Sequence, residues 1–321
     1  MIVRSFFFLP AILLSTLAPA CCGIGSGGNP IQFGKQENIV IYDSKTQTEI
    51  FIRNARFHTA EPDFAFIAPT PSVPVIYEVD PEIFQYVNSL NPGMSRGTDD
   101  GSTQASLEVF QVVVAGGYKA TTLKATDDLA LLQYLKTHNY KTNPSTRTWL
   151  KKYIDKGWYL TAFQVESLKD VAATGVIAME FKTEEPFNPY YVPYDNRSKQ
   201  GAGLDLTFIS DQYLEPDIPD LEYLPIIRRE TSLKSSDFVK IASFLKPKSK
   251  HTPILPSKGY AKRIIDRTFP NASQDDISFR HLTTPVKLNQ SALVPSTVSF
   301  ASEIALICLL VVKELGTNPI R

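Results

Sequence analysis

Apolar and polar positions alternate most clearly between Asn38 and Ala68. NIVIY (Asn38–Tyr42) and EIFIRNARF (Glu49–Phe57) are rich in β-branched and aromatic residues and are separated by the polar run Asp43–Thr48, the pattern of a β-hairpin. DFAFIA (Asp63–Ala68) predicts a third, more buried strand. Pro69, Pro71 and Pro74 then impose an extended exit, because proline has no amide to give to a ladder. A helix is predicted from Asp80-Pro81-Glu82: a side-chain cap, a residue with φ preset, and an acid near the positive end of the dipole. Ile83, Phe84, Val87 and Leu90 form its apolar face, and Asn91-Pro92-Gly93 stops it.

Gly93–Thr103 reads as a polar loop. Leu107–Ala115 and Tyr118–Leu123 read as strands around Gly116-Gly117, a dipeptide suited to the positive φ of a tight hairpin turn. A second helix opens at Thr126-Asp127-Asp128, with Leu129, Leu132 and Leu135 on one face. Asn143 caps a third, which buries Trp149, Leu150, Tyr153 and Ile154 and ends at Gly157. Trp158–Val165, Gly175–Phe181, Leu204–Ile209 and Tyr223–Ile227 are further strands, and Ser236–Leu245 has helical character. Lys246–His281 mixes basic, polar and proline residues without a clear period. The predicted fold class is α+β: an antiparallel or mixed sheet of about eight strands, partly covered by three helices near 81–90, 127–138 and 144–156. A main domain over residues 35–230 is followed by a less regular C-terminal region over 231–321.

The two ends address location. Met1–Arg4 is a short positive start, Ser5–Leu17 is an apolar stretch, and Ala18-Pro19-Ala20 supplies the small residues of a signal peptidase site before Cys21. Residues 1–20 are expected to be a signal peptide, too short to span a bilayer, which places the mature chain outside the cytoplasm. Cys21 at that junction is a candidate for lipidation, although Ala18 occupies the position where a lipoprotein signal usually carries a larger aliphatic residue. Residues 21–34, Gly-rich and without period, are expected to be a flexible lead-in. Ile304–Val312 is an uninterrupted apolar stretch of about 13 Å as a helix, against a hydrocarbon core of about 30 Å. Lys313 and Arg321 flank it as a cytoplasmic tail would, while Glu303 burdens any longer span, so a membrane anchor and a buried core segment both stay open. Cys21, Cys22 and Cys308 cannot form a multi-disulfide framework, though one bridge to Cys308 would be allowed after export.

Composition narrows the chemistry. Lys plus Arg (33) equals Asp plus Glu (33), which argues against nucleic acid as an electrostatic partner, and 43% apolar residues argue against disorder. The four histidines are far apart, and H-E-x-x-H, C-x-x-C, Walker and G-x-S-x-G patterns are missing, so no metal or cofactor is expected. Gly23–Gly28 contains a formal G-x-G-x-x-G, but Asn29-Pro30 follows it where a phosphate-cradling helix would begin. Asp99-Asp100 lacks the alternation of a calcium loop and reads as a solvated turn. Charge is segregated: Leu204–Glu222 carries six acids and no base, while Ile226–Arg267 carries eleven bases and three acids. Pairing between these runs or plain solvation is favoured over an anionic surface. The segment EEPFNPYYVPY (Glu184–Tyr194) could present Phe187, Tyr190, Tyr191 and Tyr194 as flat faces for a sugar or a Pro-rich peptide, or could cover a sheet edge. Asp63, Glu184 and Glu185 are the carboxylates that could meet in a hydrolase cleft.

Several segments in order, ENIVIYDSKTQTEIFIRNARF, DFAFIAPTPSVP with DPEIF, LLQYLKTHNY, WLKKYIDKGWYLTAFQV and FKTEEPFNPYYVPY, resemble the bacterial exported domain-of-unknown-function family 2330. The resemblance runs from Cys21 to about Asp195, and Phe66 stands where that family usually has Trp. It implies an extracytoplasmic location and, in many relatives, a hydrophobic C-terminal tail, and it brings no catalytic residue. The expected function is that of an exported, non-catalytic, envelope-associated protein that binds a protein or glycan partner, with membrane association through Cys21 or residues 304–312. The alternative is a carboxylate-dependent extracytoplasmic hydrolase.

Overall fold

The structure, a computed structural model, describes residues 22–27, 31–59, 61, 63–90, 112–115, 117–125, 127–166, 172–173, 175–197, 203–217, 226–227, 230–247, 250–269 and 275–281. The readings on the leader, Cys21, Gly93–Thr103, Cys308 and residues 304–312 lie outside them. In chain order the described strands begin β1 (Cys22–Gly25), β2 (Gln32–Asp43), β3 (Thr48–His58), β4 (Asp63–Thr70), β5 (Val75–Val79) and β6 (Val112–Ala115). They continue β7 (Tyr118–Leu123), β8 (Tyr159–Glu166), β9 (Ala172–Ala173), β10 (Ile177–Lys182), β11 (Phe187–Asn188) and β12 (Leu204–Ser210). The last are β13 (Glu215–Asp217), β14 (Ile226–Ile227), β15 (Thr231–Leu233), β16 (Leu245–Lys246), β17 (Gly259–Asp266) and β18 (Ile277–Arg280). The helices are α1 (Glu82–Leu90), α2 (Asp128–Thr137), α3 (Pro144–Asp155) and α4 (Ser235–Phe244).

The predicted hairpin is present, with Ile39 opposite Ile52 and Ile41 opposite Ile50 across β2 and β3. Its turn is closed by Asp43, whose Oδ1 accepts from the Thr46 amide at 2.8 Å and the Thr46 hydroxyl at 3.0 Å. The α1 start also forms as read: Asp80 Oδ1 accepts from the Glu82 amide at 3.1 Å, and Ile83, Phe84 and Val87 are buried. Asn143 caps α3 by accepting from the Thr146 amide at 2.8 Å. On α2 the predicted face is rotated: Leu131 and Leu135 are buried and Leu129 is 61% exposed.

Ten strands form one sheet with central order β14-β17-β12-β2-β3-β10-β5-β16, and five form a second in the order β1-β4-β8-β7-β6. β12 runs parallel to β2 while the other pairings are antiparallel, so the large sheet is mixed. Side-chain parity sorts the strands into layers. Val40, Phe51, Met179 and Phe208 of the large sheet share one core with Phe64, Phe66, Ala120 and Phe163 of the small one. Their sequence neighbours Ile39, Ile50, Ala178 and Ile209 face α1 and α4. On the far side Ala65, Ile67, Leu160 and Ala162 face α2 and α3. The arrangement is four layers, helices, sheet, sheet, helices, and both sheets are covered on both faces, which is why the centres of their strands carry apolar residues at successive positions, as at Ile39–Ile41, Ile50–Ile52, Phe64–Ala68 and Ile177–Met179.

Three expectations are corrected. The described residues are sheet-dominated, with many more strands than about eight and with four helices among them, because two-residue pairings such as Phe187–Asn188 against β18 carry no periodic signal. The lead-in is not flexible throughout: Cys22–Gly25 is a buried strand pairing Phe64–Ile67, and Gly23 is needed because a Cβ there would lie 2.7 Å from Ile31 Cβ. Nor is the segment Gly259–Asp266 irregular, since it forms β17, inside the large sheet beside β12. Its alternation is obscured by Lys262 and Arg263, whose charges are met by residues of the acidic run. Arg263 donates to both oxygens of Asp205, at 2.7 and 2.6 Å, and Lys262 pairs Glu215 at 2.8 Å. The described residues on both sides of position 230 therefore belong to one unit.

Candidate functional site

An open cleft of about 760 Å³ lies where the β2–β3 turn, the α3–β8 junction, the chain after β10, β13 and β18 converge. Its aromatic floor comes from Trp158 and Phe187, whose ring centroids are 4.8 Å apart. Trp158 is aimed there by the end of α3. Gly157 adopts φ +70°, its amide donates to the Ile154 carbonyl at 2.8 Å, and the Trp158 amide donates to the Tyr153 carbonyl at 3.0 Å. This pair of bonds is a Schellman ending, which requires a left-handed residue. Phe187 is fixed from behind by Glu49, whose Oε2 accepts from the Phe187 amide at 2.9 Å.

Glu49 is fully buried, and its Oε1 has no hydrogen-bond partner among the described residues. Burial pushes its carboxyl well above the usual carboxylate range, and the Phe187 amide opposes this only in part. On the cleft wall Asp276 is held by the Tyr190 and Tyr191 amides, at 2.9 and 3.1 Å, and by the Tyr153 hydroxyl at 3.0 Å. Burial raises its pKa against those donors. Burial also acts to raise Asp275, but the hydrogen bond and charge of Lys152, 2.6 Å away, leave it lowered. Asp217 is ion-paired with Arg280. Lys182 donates to the Thr46 carbonyl and the Thr48 hydroxyl, both at 2.7 Å, and Lys156 lies 4.9 Å from the Trp158 ring.

The sequence-predicted residues divide. Glu184 and Glu185 are exposed on the cleft rim, and neither side chain has a hydrogen-bond or ion-pair partner among the described residues. Asp63 is not with them. It begins β4, whereas the cleft lies beyond the other end of that strand at Pro71, roughly 23 Å along the ladder. The three carboxylates are thus not assembled into one cleft. The aromatic segment is also split, because Phe187 and Tyr190 are buried, Tyr191 is half-buried and Tyr194 is 43% exposed. Tyr190 donates to Asp266 Oδ2 at 2.6 Å, and the Tyr191 carbonyl accepts from the Trp149 indole at 2.8 Å. The strip is mainly sheet cover, with Phe187 alone among the four lining the cleft. Among the described residues there is no cluster of His, Cys, Asp and Glu able to hold a metal. No helix among them is long and apolar enough to cross a membrane.

Sequence reasoning missed Trp158, Glu49 and Asp276 as site residues. Glu49 carried a readable signal: it shares strand parity with Phe51 and Phe57, so a carboxylate was written onto a buried face. Asp276 carried none, since its partners are more than eighty residues away.

The family model described as uncharacterized protein conserved in bacteria (DUF2330) matches residues 16–202, more than half of the chain. The chain belongs to the DUF2330 family. The match takes in β1 to β11 and therefore Glu49, Trp158 and Glu184–Phe187, while Asp217 and Asp275–Arg280 lie beyond it. The cleft of this DUF2330 protein is thus built by matched and unmatched chain together. No curated protein matches the chain. Among solved structures it is similar to baculovirus P35, at 11% identity over 78% of this chain and 97% of that one, with a TM-score of 0.41. It is also similar to a mutated baculovirus P35 after caspase cleavage, at 11% identity over 78% of this chain and 100% of that one, with a TM-score of 0.37.

Proposed function

We propose that this DUF2330 protein is exported, stays at or near the cell envelope, and acts without catalysis by binding a protein or glycan partner in the Trp158–Phe187 cleft. The observation that carries the reading is the state of the carboxylates there. Asp217, Asp275 and Asp276 are each held by fixed donors, while Glu184 and Glu185 stand exposed on the rim beside the aromatic floor. Held carboxylates shape and rigidify a cleft, and free ones beside an aromatic ring are contacts for a partner. The leader over residues 1–20 supports export.

The test is to express the full chain in a bacterium, fractionate the cells and weigh the mature N-terminus. The expected outcome is a chain beginning at Cys21, recovered with envelope or external fractions, that retains envelope material on pull-down and loses it in Glu184→Arg/Glu185→Arg. A cytosolic chain with its initiator methionine, or retention unaffected by the double reversal, would sink the proposal. Assaying the retained material for new reducing ends or amines tests the hydrolase alternative, which would now rest on Glu184 and Glu185 without Asp63.

A further inference from the structure

Building on that reading, we infer that the cleft takes an uncharged glycan, with a sugar ring stacked on Trp158 and its hydroxyls bound by Glu184 and Glu185. Of the fourteen residues lining the cleft only three, Pro71, Trp158 and Phe187, are apolar. A peptide anchored by apolar side chains needs pockets for them, and this lining offers one flat patch ringed by donors and acceptors. Peptide capture by strand addition is also poorly served. The small sheet beside the cleft, β11-β18-β13, has edges of only two and three residues, too short for a ladder of main-chain hydrogen bonds.

Charge points the same way. The bases of the lining are Lys156, Lys182 and Arg280, and its acids are Glu184, Glu185, Asp217, Asp275 and Asp276. Arg280 is spent on Asp217, and Asp275 on Lys152 from outside the lining. Asp276 accepts from two amides and a phenol. No single sign dominates, which disfavours a polyanion or a polycation, whose binding needs an uncompensated field. Beside Lys182, what is left at the rim is two carboxylates able to accept paired hydroxyl hydrogens, the Ser278 side chain, and the half-buried indole, over which lies the ammonium of the exposed Lys156, 4.9 Å from the ring centroid, which a stacking sugar ring would displace. An aromatic face bordered by polar groups suits a ring that is apolar across its faces and polar around its edge.

The chain has two tryptophans, and Trp149 is fully buried, so a change in indole emission on ligand addition reports Trp158. The purified mature protein would be titrated with cellohexaose, chitohexaose, maltohexaose and mannohexaose, and separately with heparin, oligo-arginine and a Pro-rich peptide. Emission and calorimetry would be read together. The expected result is saturation by at least one neutral oligosaccharide below ~1 mM, unchanged when salt is raised to about 0.5 M. Glu184→Gln/Glu185→Gln, at two exposed side chains without partners among the described residues, should weaken that binding at least ~10-fold, and Trp158→Phe should weaken it with the fold retained by circular dichroism. Saturation by heparin or a peptide alone would overturn the inference while leaving the cleft a ligand site. No binding of any neutral oligosaccharide at ~10 mM would overturn it, as would sugar binding indifferent to both variants. The parent reading fails separately, through envelope retention that ignores the charge reversal.

Discussion

At the scale of single residues, the most consequential group is Glu49. It is fully buried, with one oxygen bonded to the Phe187 amide and the other without a partner among the described residues. Because burial raises its pKa in the fold, the native state holds a proton that the unfolded chain has released once the pH passes the ordinary glutamate value. The stability it contributes is complete below that value and declines as pH rises toward the folded pKa, by about 1.4 kcal/mol per pH unit at most. Asp276, also raised by burial, adds a slope of the same sign. Glu49→Gln keeps an acceptor for the Phe187 amide and removes the ionisation. Its stability should therefore exceed that of the native chain by a margin that widens with pH. Denaturant melts from pH 4.5 to 8 would check this, and a margin that narrows with pH would contradict it.

At the scale of elements, the cleft depends on how α3 ends. The Schellman bonds at Gly157 and Trp158 turn the chain into β8 and set the indole against Phe187. A Cβ at Gly157 would meet nothing within 4 Å, so the effect of Gly157→Ala is purely that of forcing φ +70° on a residue with a side chain. The expected loss is about 1 kcal/mol, without a packing defect. Because the strain falls on the residue before Trp158, its emission should shift even where the variant is fully folded. Thermal melts and emission spectra together test this, and a strain-free variant with an unchanged spectrum would show that the turn does not position the indole. The pairing of β12 with β17 gives a second lesson at this scale. Asp205 of the acidic run and Arg263 of the basic run meet across these two strands, and Glu215 reaches Lys262 from β13, so at these two pairs the segregated charges meet within the fold.

At the scale of the whole molecule, the two sheets meet through an aromatic layer. Phe66 stacks on Phe163 at 4.7 Å and lies 5.4 Å from Phe57 and 5.3 Å from Tyr118. The Arg53 guanidinium sits 4.5 Å from the Phe66 ring and donates to Gln36 Oε1 at 2.9 Å. Phe66 thus contacts rings from both sheets and covers a buried cation. Phe66→Ala should cost about 3–5 kcal/mol, through the cavity and through exposure of Arg53 to an apolar void. The loss should appear as one cooperative transition moved to lower denaturant, since both sheets share this core. A variant that melts in two steps would mean the sheets fold independently.

Much of the architecture is local and was open to reading from one dimension. The β2–β3 hairpin, the Asp80 start of α1 and the Asn143 cap of α3 each depend on residues within a few positions of one another, so short-range sterics and capping specify them. Glu184 and Glu185 were recognisable as candidates because acidic residues beside prolines and aromatics are conspicuous by composition. The cleft itself was not readable. Trp158 looks like the first residue of a strand, Asp276 like one more acid in an irregular tail, and Asp63 like a partner for the glutamates. Only the folding of two sheets face to face decided that Trp158 and Asp276 line one cleft and that Asp63 stands at the far end of β4. Sequence spacing sets which side chains share a face of one element. Which faces meet depends on contacts between residues more than a hundred positions apart, and these are chosen by the burial of both sides of both sheets at once.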